Sequence, residues 1–408
     1  MKKVIVIGAG ASGIVASIYA KKNGNEVVLI EKNEICGKKI LATGNGRCNF
    51  WNEDQSLRHY RGSNIEKIEE ILNAKNKEEA LNFFKSIGIE PKIKNGYYYP
   101  YSNQAVSIQR ALILEAKKQN VKIFTNTEVI NVTKKEDKFE VILKDQNTVT
   151  SDKIIIATGS RCAPKTGSDG LGYEICKNFK HTINKPLPAL VQLKANEKYL
   201  KEWEGIRTDV QIKLYENEIN IGEETGEIQL TNYGISGICV FNLSGRVARG
   251  IENKKKEKVK INFLYGLNIK NIKEFIIWMD KRSKILKDRT IAENLESVIN
   301  YKLVDVFLKL VNISKSAKWN ELTDKQKTSI ARKFVEFDLN ITGTNSFDKA
   351  QVCTGGVLLS EINTKTMESK KEKGLYITGE LLDADGDCGG YNLEWAWITG
   401  IIAGRSIK

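Results

Sequence analysis

The sequence predicts an α/β chain: a Rossmann-like dinucleotide-binding domain with a β-meander, interrupted by an insert made of a β-barrel part and a small helical part. Three observations carry this reading. The N-terminus runs strand, glycine turn, helix; an acidic residue closes the next strand; and the C-terminal segment returns to strand, glycine turn and small-residue helix after a middle region of different period.

The first element is VIVIGAGASGIVASIYA, Val4 to Ala20. Its apolar β-formers run into Gly8, Gly10 and Gly13 in GxGxxG spacing, with Ala11 and Ser12 opening the helix. A dinucleotide pyrophosphate must reach the backbone N–H groups at a helix N-terminus, and a side chain at Gly10 would stand in its way. Gly8 makes the turn and Gly13 lets helix and strand pack closely. The next strand, EVVLIE, ends on Glu31, 18 residues beyond Gly13 and placed to accept from the adenosine ribose hydroxyls. An ordinary βαβ turn is the rival reading of the glycines alone.

After Glu31 and Lys32 comes a glycine-rich loop, EICGKKILATGNGRCNFWN, which sets Lys38, Lys39 and Arg47 among Gly37, Gly44 and Gly46 and carries Cys48. Glycines there let a backbone approach a cofactor, and Arg47 can pair with phosphate or orient a carboxylate. A plain surface loop is the alternative.

At this loop the sequence resembles a known group. GAGASG, Glu31 and GKKILATGNGRCN are similar to the glutathione-reductase-type FAD fold. More narrowly they resemble the bacterial flavoprotein family of aminoacetone-oxidase-like or NAD(P)/FAD-dependent oxidoreductases, which includes a bile-acid reductase. The match extends along nearly the whole chain. The resemblance implies that these loops hold FAD rather than NAD, through Gly8, Gly10, Ala11, Ser12, Gly13, Glu31, Lys32, Lys39, Gly44, Gly46, Arg47 and Cys48.

Residues 64–90 place apolar side chains at helical spacing and predict two amphipathic helices. GYYYPYSNQAVSIQ follows as an aromatic turn, Tyr97 to Tyr101, before a further helix; packing and approach to a ligand are both open for it. NVKIFTNTEVINVTKK, KFEVILK and TVTSDKIIIATGS alternate as strands and predict a three-stranded meander that feeds back into the parallel sheet. By resemblance, the backbone at Val129 contacts adenine, and Ala157, Thr158 and Gly159 pass near the adenosine and pyrophosphate. PKTGSDGLGY has the wrong glycine order for a second dinucleotide turn, and it carries Leu171 where the family commonly has an acid.

PLPALVQL, Pro186 to Leu193, crosses out of the nucleotide fold. The expected domains are 1–190 with 346–408 for the cofactor and 191–345 for the insert, its barrel part at 191–265 and its helical part at 266–335. Within the insert GISG, Gly234 to Gly237, reads as a turn. The last segment contains the strand GLYITGE and a Gly-Gly turn opening a helix. By resemblance Gly379 and Glu380 bind the ribityl chain, and Gly389, Gly390, Tyr391, Asn392 and Leu393 set a helix N-terminus against the flavin pyrimidine. N–H groups at a helix end stabilise negative charge of that kind.

The composition bounds the function classes. At 41% hydrophobic and 28% charged residues the chain is ordinary for a globular protein, with no apolar run long enough for a membrane span. A strand starting at Val4 leaves no room for a signal peptide, and a cytoplasmic location is the expectation. Seven cysteines without a CxxC indicate no disulfide framework, no zinc or other metal site and no dithiol pair. The net charge of +14 is spread lysine, read as a solvated surface, and no nucleic-acid partner is expected; oligomeric state is left open. Only His59 and His181 offer imidazole chemistry.

The function expected is an FAD-dependent oxidoreductase acting on a small organic substrate between flavin and insert. Cys353, Thr354, Gly355 and Gly356 of the CTGGV turn are placed on the reacting face with Tyr233 and Ser236 of the insert, and Arg47 or Tyr101 as polar anchors. The cysteines have a rival reading as small buried thiols. The alternative function is an RNA-associated flavoprotein of the tRNA-modifying type. FAD is expected to be non-covalent, since neither histidine sits in an attachment motif. NAD(P)H is a candidate transient donor without a cradle of its own, and oxidase and reductase are both open.

Overall fold

The computed structural model describes all 408 residues, and its contacts divide the chain into two units: Met1–Leu187 with Phe347–Lys408, and Pro188–Ser346. The division falls at Leu187 rather than after residue 190 because the Val191 N–H is already held by the Ser244 hydroxyl of the second unit, at 3.2 Å.

The first unit is built on a five-stranded sheet in the order Leu375–Ile377, Lys153–Ile156, Lys3–Ile7 (β1), Glu26–Ile30 (β2), Lys122–Phe124. Every pairing is parallel, with Val4 opposite Lys153 and Ile7 opposite both Ile156 and Ile30. Parallel strands covered on both faces need apolar residues at every position, which is why β1 reads as an unbroken run rather than an alternation. Val4, Ile5 and Val6 are completely buried. The helix Ala11–Lys22 (α1) covers the sheet and packs against the C-terminal helix Tyr391–Ser406 through small residues. A Cβ on Gly400 would sit 2.4 Å from the Ser12 carbonyl oxygen, and one on Gly404 2.3 Å from that of Ala16. The meander is Val129–Lys135, Lys138–Leu143 and Thr148–Ser151, all antiparallel. Residues 64–90 form the helices Ile65–Ile71 and Ala74–Ser86, each capped by an asparagine side chain.

Two segments of this unit read as turns are strands. Tyr97–Pro100 pairs with Pro91–Lys94 and with Trp51–Asn52, so most of the aromatic cluster belongs to a small antiparallel sheet. The CTGGV segment lies in the strand Val352–Val357, paired with Ile183–Ala189. Its glycines serve a close approach rather than a reversal: a Cβ on Gly356, at φ +151°, would lie 2.6 Å from the Leu381 carbonyl oxygen.

The second unit carries a seven-stranded sheet: Phe337–Ile341, Glu257–Asn262, Arg207–Glu216, Ile219–Thr231, Gly234–Ser236, Leu193–Lys194, Gly343–Thr344. Its two outermost strands are consecutive in the chain, and the Thr342 N–H between them bonds the Lys194 carbonyl at 2.9 Å, so the sheet curls back on itself. The closing strand comes from 337–344, beyond the 191–265 expected for the barrel part, because the helices Ile272–Ile285, Ile291–Leu295, Tyr301–Leu310 and Asp324–Val335 intervene. The barrel part also contains a helix, Ile238–Glu252, absent from the sequence reading; Val240, Leu243 and Val247 bury one face at helical spacing. GISG is accordingly a short strand ending in the residue that caps this helix, not a turn.

Candidate cofactor site

The glycine turn between β1 and α1 is held from both sides. The Gly8 N–H bonds the Ile30 carbonyl at 2.8 Å, and the Ala157 N–H bonds that of Ile7 at 2.9 Å. Cβ atoms on Gly8 and Gly13 would lie 2.5 Å from the Ala157 oxygen and 1.9 Å from the Gly8 oxygen, so both glycines are packing requirements. Gly10 differs: an added Cβ would meet no protein atom within 4 Å. It caps α1 without a side-chain hydrogen bond and with no acid in the first turn, which leaves Ala11, Ser12 and Gly13 as the start of an uncapped, positive helix end.

Glu31 is buried beside this turn. One carboxylate oxygen accepts from the Ala9 N–H at 2.9 Å, and the other from the Asn33 N–H and side-chain amide at 2.9 and 2.6 Å. The oxygen held by Ala9 has a second lone pair, so one ribose hydroxyl remains within its capacity. The Thr127 N–H bonds the Glu31 carbonyl at 2.9 Å, and Val129 opens its strand two residues later. Lys32 is committed to Asp169 at 2.6 Å.

Lys39 and Glu380 form the charged pair of the site, 2.7 Å apart. Burial alone would push the Lys39 ammonium down, yet the Glu380 charge wins and holds its pKa above the ordinary value. The second oxygen of Glu380 is buried without a partner, and a Cβ on Gly159, at φ +73°, would lie 3.8 Å from the oxygen that Lys39 holds. An orphaned buried carboxylate oxygen costs about 1–3 kcal/mol or more unless something donates to it, so this oxygen is open to a donor from outside the chain. Gly379 ties this corner to both helices: its N–H bonds the hydroxyl of Thr399, on the helix Tyr391–Ser406, at 2.9 Å, and a Cβ on it would meet the Oγ of Ser12, on α1, at 2.6 Å.

Gly389 and Gly390 take φ +138° and +99° and open the helix Tyr391–Ser406, again without a side-chain cap. A Cβ on Gly390 would press on the Trp51 backbone at 2.9 Å. Tyr391 is buried and stacks on His59, ring centroids 4.5 Å apart, and Leu393 is half-buried. The Asn392 amide is spent on its own loop, accepting from the Gly386 N–H at 2.9 Å and donating to the Gly386 carbonyl at 2.8 Å.

The remaining expected residues differ in their surroundings. Gly44, at φ +55°, packs against the Asn49 backbone, while Gly46 is open; Arg47 is exposed and bonds the Gly44 carbonyl at 3.2 Å, its guanidinium over the Tyr99 ring. Cys48 is fully buried, its thiol pushed up to about 12 by desolvation, and its side chain is part of the core. Cys353 is buried with its sulfur 3.1 Å from that of Cys162, a thiol pair that sequence spacing did not indicate, since 191 residues separate its members. Tyr233 and Ser236 belong to the second unit, where the Tyr233 carbonyl accepts from the Ala195 N–H at 2.9 Å and Ser236 pairs with Gln229.

An acidic network in the same unit escaped the sequence reading. Asp383 accepts from the Ser63 N–H and the Asn184 amide at 3.2 Å each, and Asp387 contacts His59 at 2.9 Å and Arg61 at 2.5 Å. Asp385 lies between them with one oxygen unpartnered; burial, reinforced by the neighbouring Asp383 and Asp387 charges, pushes its carboxyl up to about 7 against the opposing Thr354 hydroxyl and Arg61. Burial likewise pushes Glu394 up to about 7. The available signal was three acids at alternate positions in LLDADGDCGG, immediately before the Gly-Gly turn.

The residues present fit a dinucleotide: an open approach at Gly10, two helix ends without side-chain caps, and an orphaned Glu380 oxygen. Comparison with known proteins agrees. The profile of the family described as HI0933-like protein Rossmann domain matches residues 2–406. The chain is 40% identical to the 3-dehydro-bile acid delta(4,6)-reductase of Clostridium scindens, over 100% of this chain and 99% of that protein. It is 27% identical to the ribosomal RNA dihydrouridine synthase of Escherichia coli, over 96% and 94%. Among solved structures, 3-ketosteroid delta1-dehydrogenase from Sterolibacterium denitrificans in complex with 1,4-androstadiene-3,17-dione aligns over 100% of this chain and 99% of its own. The TM-score is 0.51 at 10% identity, a likeness of fold alone. No helix is long and apolar enough to cross a membrane.

Proposed function

This chain belongs to the HI0933-like family and is an oxidoreductase built on its FAD-binding Rossmann fold, and from that premise we propose that it reduces a carbon–carbon double bond conjugated to a carbonyl in a small organic substrate, with FAD held non-covalently. The observations that carry the cofactor part are the opening at Gly10 and the orphaned oxygen of Glu380. The substrate class is supported by the 40% identical relative, whose name describes removal of double bonds conjugated to a 3-oxo group.

When bound, FAD supplies the hydride chemistry, at N5. The chain's own residues do the rest. The N–H groups at the start of α1 would hold the pyrophosphate, Glu31 the adenosine ribose and Glu380, paired with Lys39, the ribityl hydroxyls. The N-terminus of the helix Tyr391–Ser406 offers uncapped N–H groups to negative charge on the reduced ring. Asp385 retains a proton near neutral pH beside the Thr354 hydroxyl, and is the residue of this unit suited to protonate the substrate carbon next to the carbonyl.

A second reading takes the conjugated bond to be that of uridine in ribosomal RNA. It is favoured by the net charge of +14 and the 27% identical synthase, and the reaction class is the same. One anaerobic stopped-flow experiment separates the readings. The flavin is bleached with dithionite, then mixed with a 3-oxo-4,6-diene steroid acid, with a ribosomal RNA transcript, or with air. Fast, saturable return of colour with the steroid enone supports the proposal, and return only with RNA, falling steeply with salt, supports the second reading. Return with oxygen alone would make the protein an oxidase and overturn both. Bleaching by NADPH in place of dithionite tests NAD(P)H as donor.

A further inference from the structure

Cys162 and Cys353 are separated by 191 residues and meet with their sulfurs 3.1 Å apart, both in the interior of the first unit. Cys162 lies in the turn that follows Ala157–Gly159, and Cys353 on the strand Val352–Val357, one residue before Thr354. The two sulfurs are inequivalent. The Cys162 S–H has the Val352 carbonyl at 2.9 Å and the Cys353 sulfur as acceptors. Cys353 receives hydrogen bonds from Cys162, the Ser160 hydroxyl and the Arg161 N–H, which lower its pKa, whereas contact with Cys353 and burial raise that of Cys162. The Lys39 ammonium is close enough to feel both sulfurs, opposed by burial and by the Glu380 carboxylate that it pairs with. One thiolate-prone sulfur, one thiol donor and a nearby cation make an attacking and resolving pair. A disulfide needs sulfurs at about 2.05 Å, so each would move only about 0.5 Å.

We propose that Cys162 and Cys353 are a redox-active pair, oxidised reversibly to a disulfide by a small hydroperoxide. The Cys353 thiolate attacks the peroxide, the O–O bond breaks, and the sulfur becomes a sulfenic acid while the departing hydroxide takes up a proton as water. The Cys162 sulfur then displaces the sulfenic hydroxyl, forming the S–S bond and releasing a second water. Two thiols and one hydrogen peroxide give one disulfide and two waters, the two electrons passing from sulfur to the peroxide oxygens. Burial limits the reaction to small uncharged oxidants. It also separates this pair from Cys36, Cys48, Cys176 and Cys239, which are buried thiols with pKa values raised by desolvation and no second sulfur in contact. The cross-link would tie the Ala157–Gly159 turn to the strand bearing Thr354, and does not depend on the identity of the substrate.

The test treats the purified full-length protein with stoichiometric hydrogen peroxide, then alkylates in denaturant and maps non-reduced peptides by mass spectrometry. The expected result is one linked peptide pair, Cys162 with Cys353, a loss of two alkylatable thiols, and full recovery with dithiothreitol. In Cys162→Ser the linkage is absent and Cys353 accumulates a sulfenic acid that dimedone traps; Cys162→Ala repeats the trapping should the serine variant fold poorly. All seven thiols still alkylatable in the wild type, or a linkage through other cysteines, overturns the proposal.

Discussion

At Gly10 an added methyl would touch no protein atom, whereas at Gly13 it would collide with the Gly8 carbonyl oxygen. The two glycines of one motif therefore separate by experiment. Gly10→Ala is expected to unfold at the wild-type denaturant midpoint yet retain flavin at least about 10-fold more weakly, a loss of about 1.4 kcal/mol or more. Gly13→Ala is expected to lose about 1–3 kcal/mol of stability through overpacking. Flavin absorbance after gel filtration and urea denaturation read the two effects, and a Gly10→Ala protein that stays fully yellow would remove the pyrophosphate from this turn. The open space at Gly10 was legible because a glycine left for backbone approach is encoded by spacing. Asp385 was not, because its raised pKa comes from burial and from neighbours that a linear reading does not supply.

Among the elements, the contact between α1 and the helix Tyr391–Ser406 decides most. Gly400 and Gly404 let the two helices approach until backbone meets backbone at Ser12 and Ala16. Gly400→Ala must push Ser12 away, and is expected to cost about 1–3 kcal/mol and to weaken flavin retention with it, because Ser12 sits in the first turn of α1. Equilibrium unfolding with parallel flavin titration checks this; unchanged retention at lowered stability would uncouple packing from the site. At this scale the buried strands, amphipathic helices and meander were readable from period alone. The Tyr97–Pro100 and Val352–Val357 strands were not, since their prolines and glycines carry turn signals that pairing with distant strands overrides. The helix Ile238–Glu252 was hidden by its neighbours' alternation.

For the molecule as a whole, buried acids predict the pH dependence of stability. Asp385 and Glu394 in the first unit and Glu257 in the second all have folded-state values pushed up to about 7, with desolvation the leading cause in each. Between the ordinary carboxylate range and about 7 the folded state binds more protons than the unfolded one, so each group makes stability fall as pH rises through that window. Asp385→Asn is therefore expected to flatten the slope of unfolding free energy against pH between about 4 and 7 by at most about 1.4 kcal/mol per pH unit. Urea melts of wild type and variant across that range measure it, and parallel slopes would mean that Asp385 ionises normally.

Residue order alone pointed to a dinucleotide, and the family resemblance to FAD, because a pyrophosphate cradle is a local device: a strand, a turn and a helix end contiguous in the chain, with Glu31 one strand further on. The return of that pattern near residue 380 was likewise visible, as was the change of period between. Folding had to decide what depends on partners far apart in sequence. Glu380 meets Lys39 across 341 residues, Cys162 meets Cys353 across 191, and Asp387 meets His59 across 328. The barrel closes only when 337–344 returns beside Lys194. Spacing rules reach one or two elements along a chain, whereas charge pairing, desolvation and sulfur contact are set by whatever the packed interior brings together.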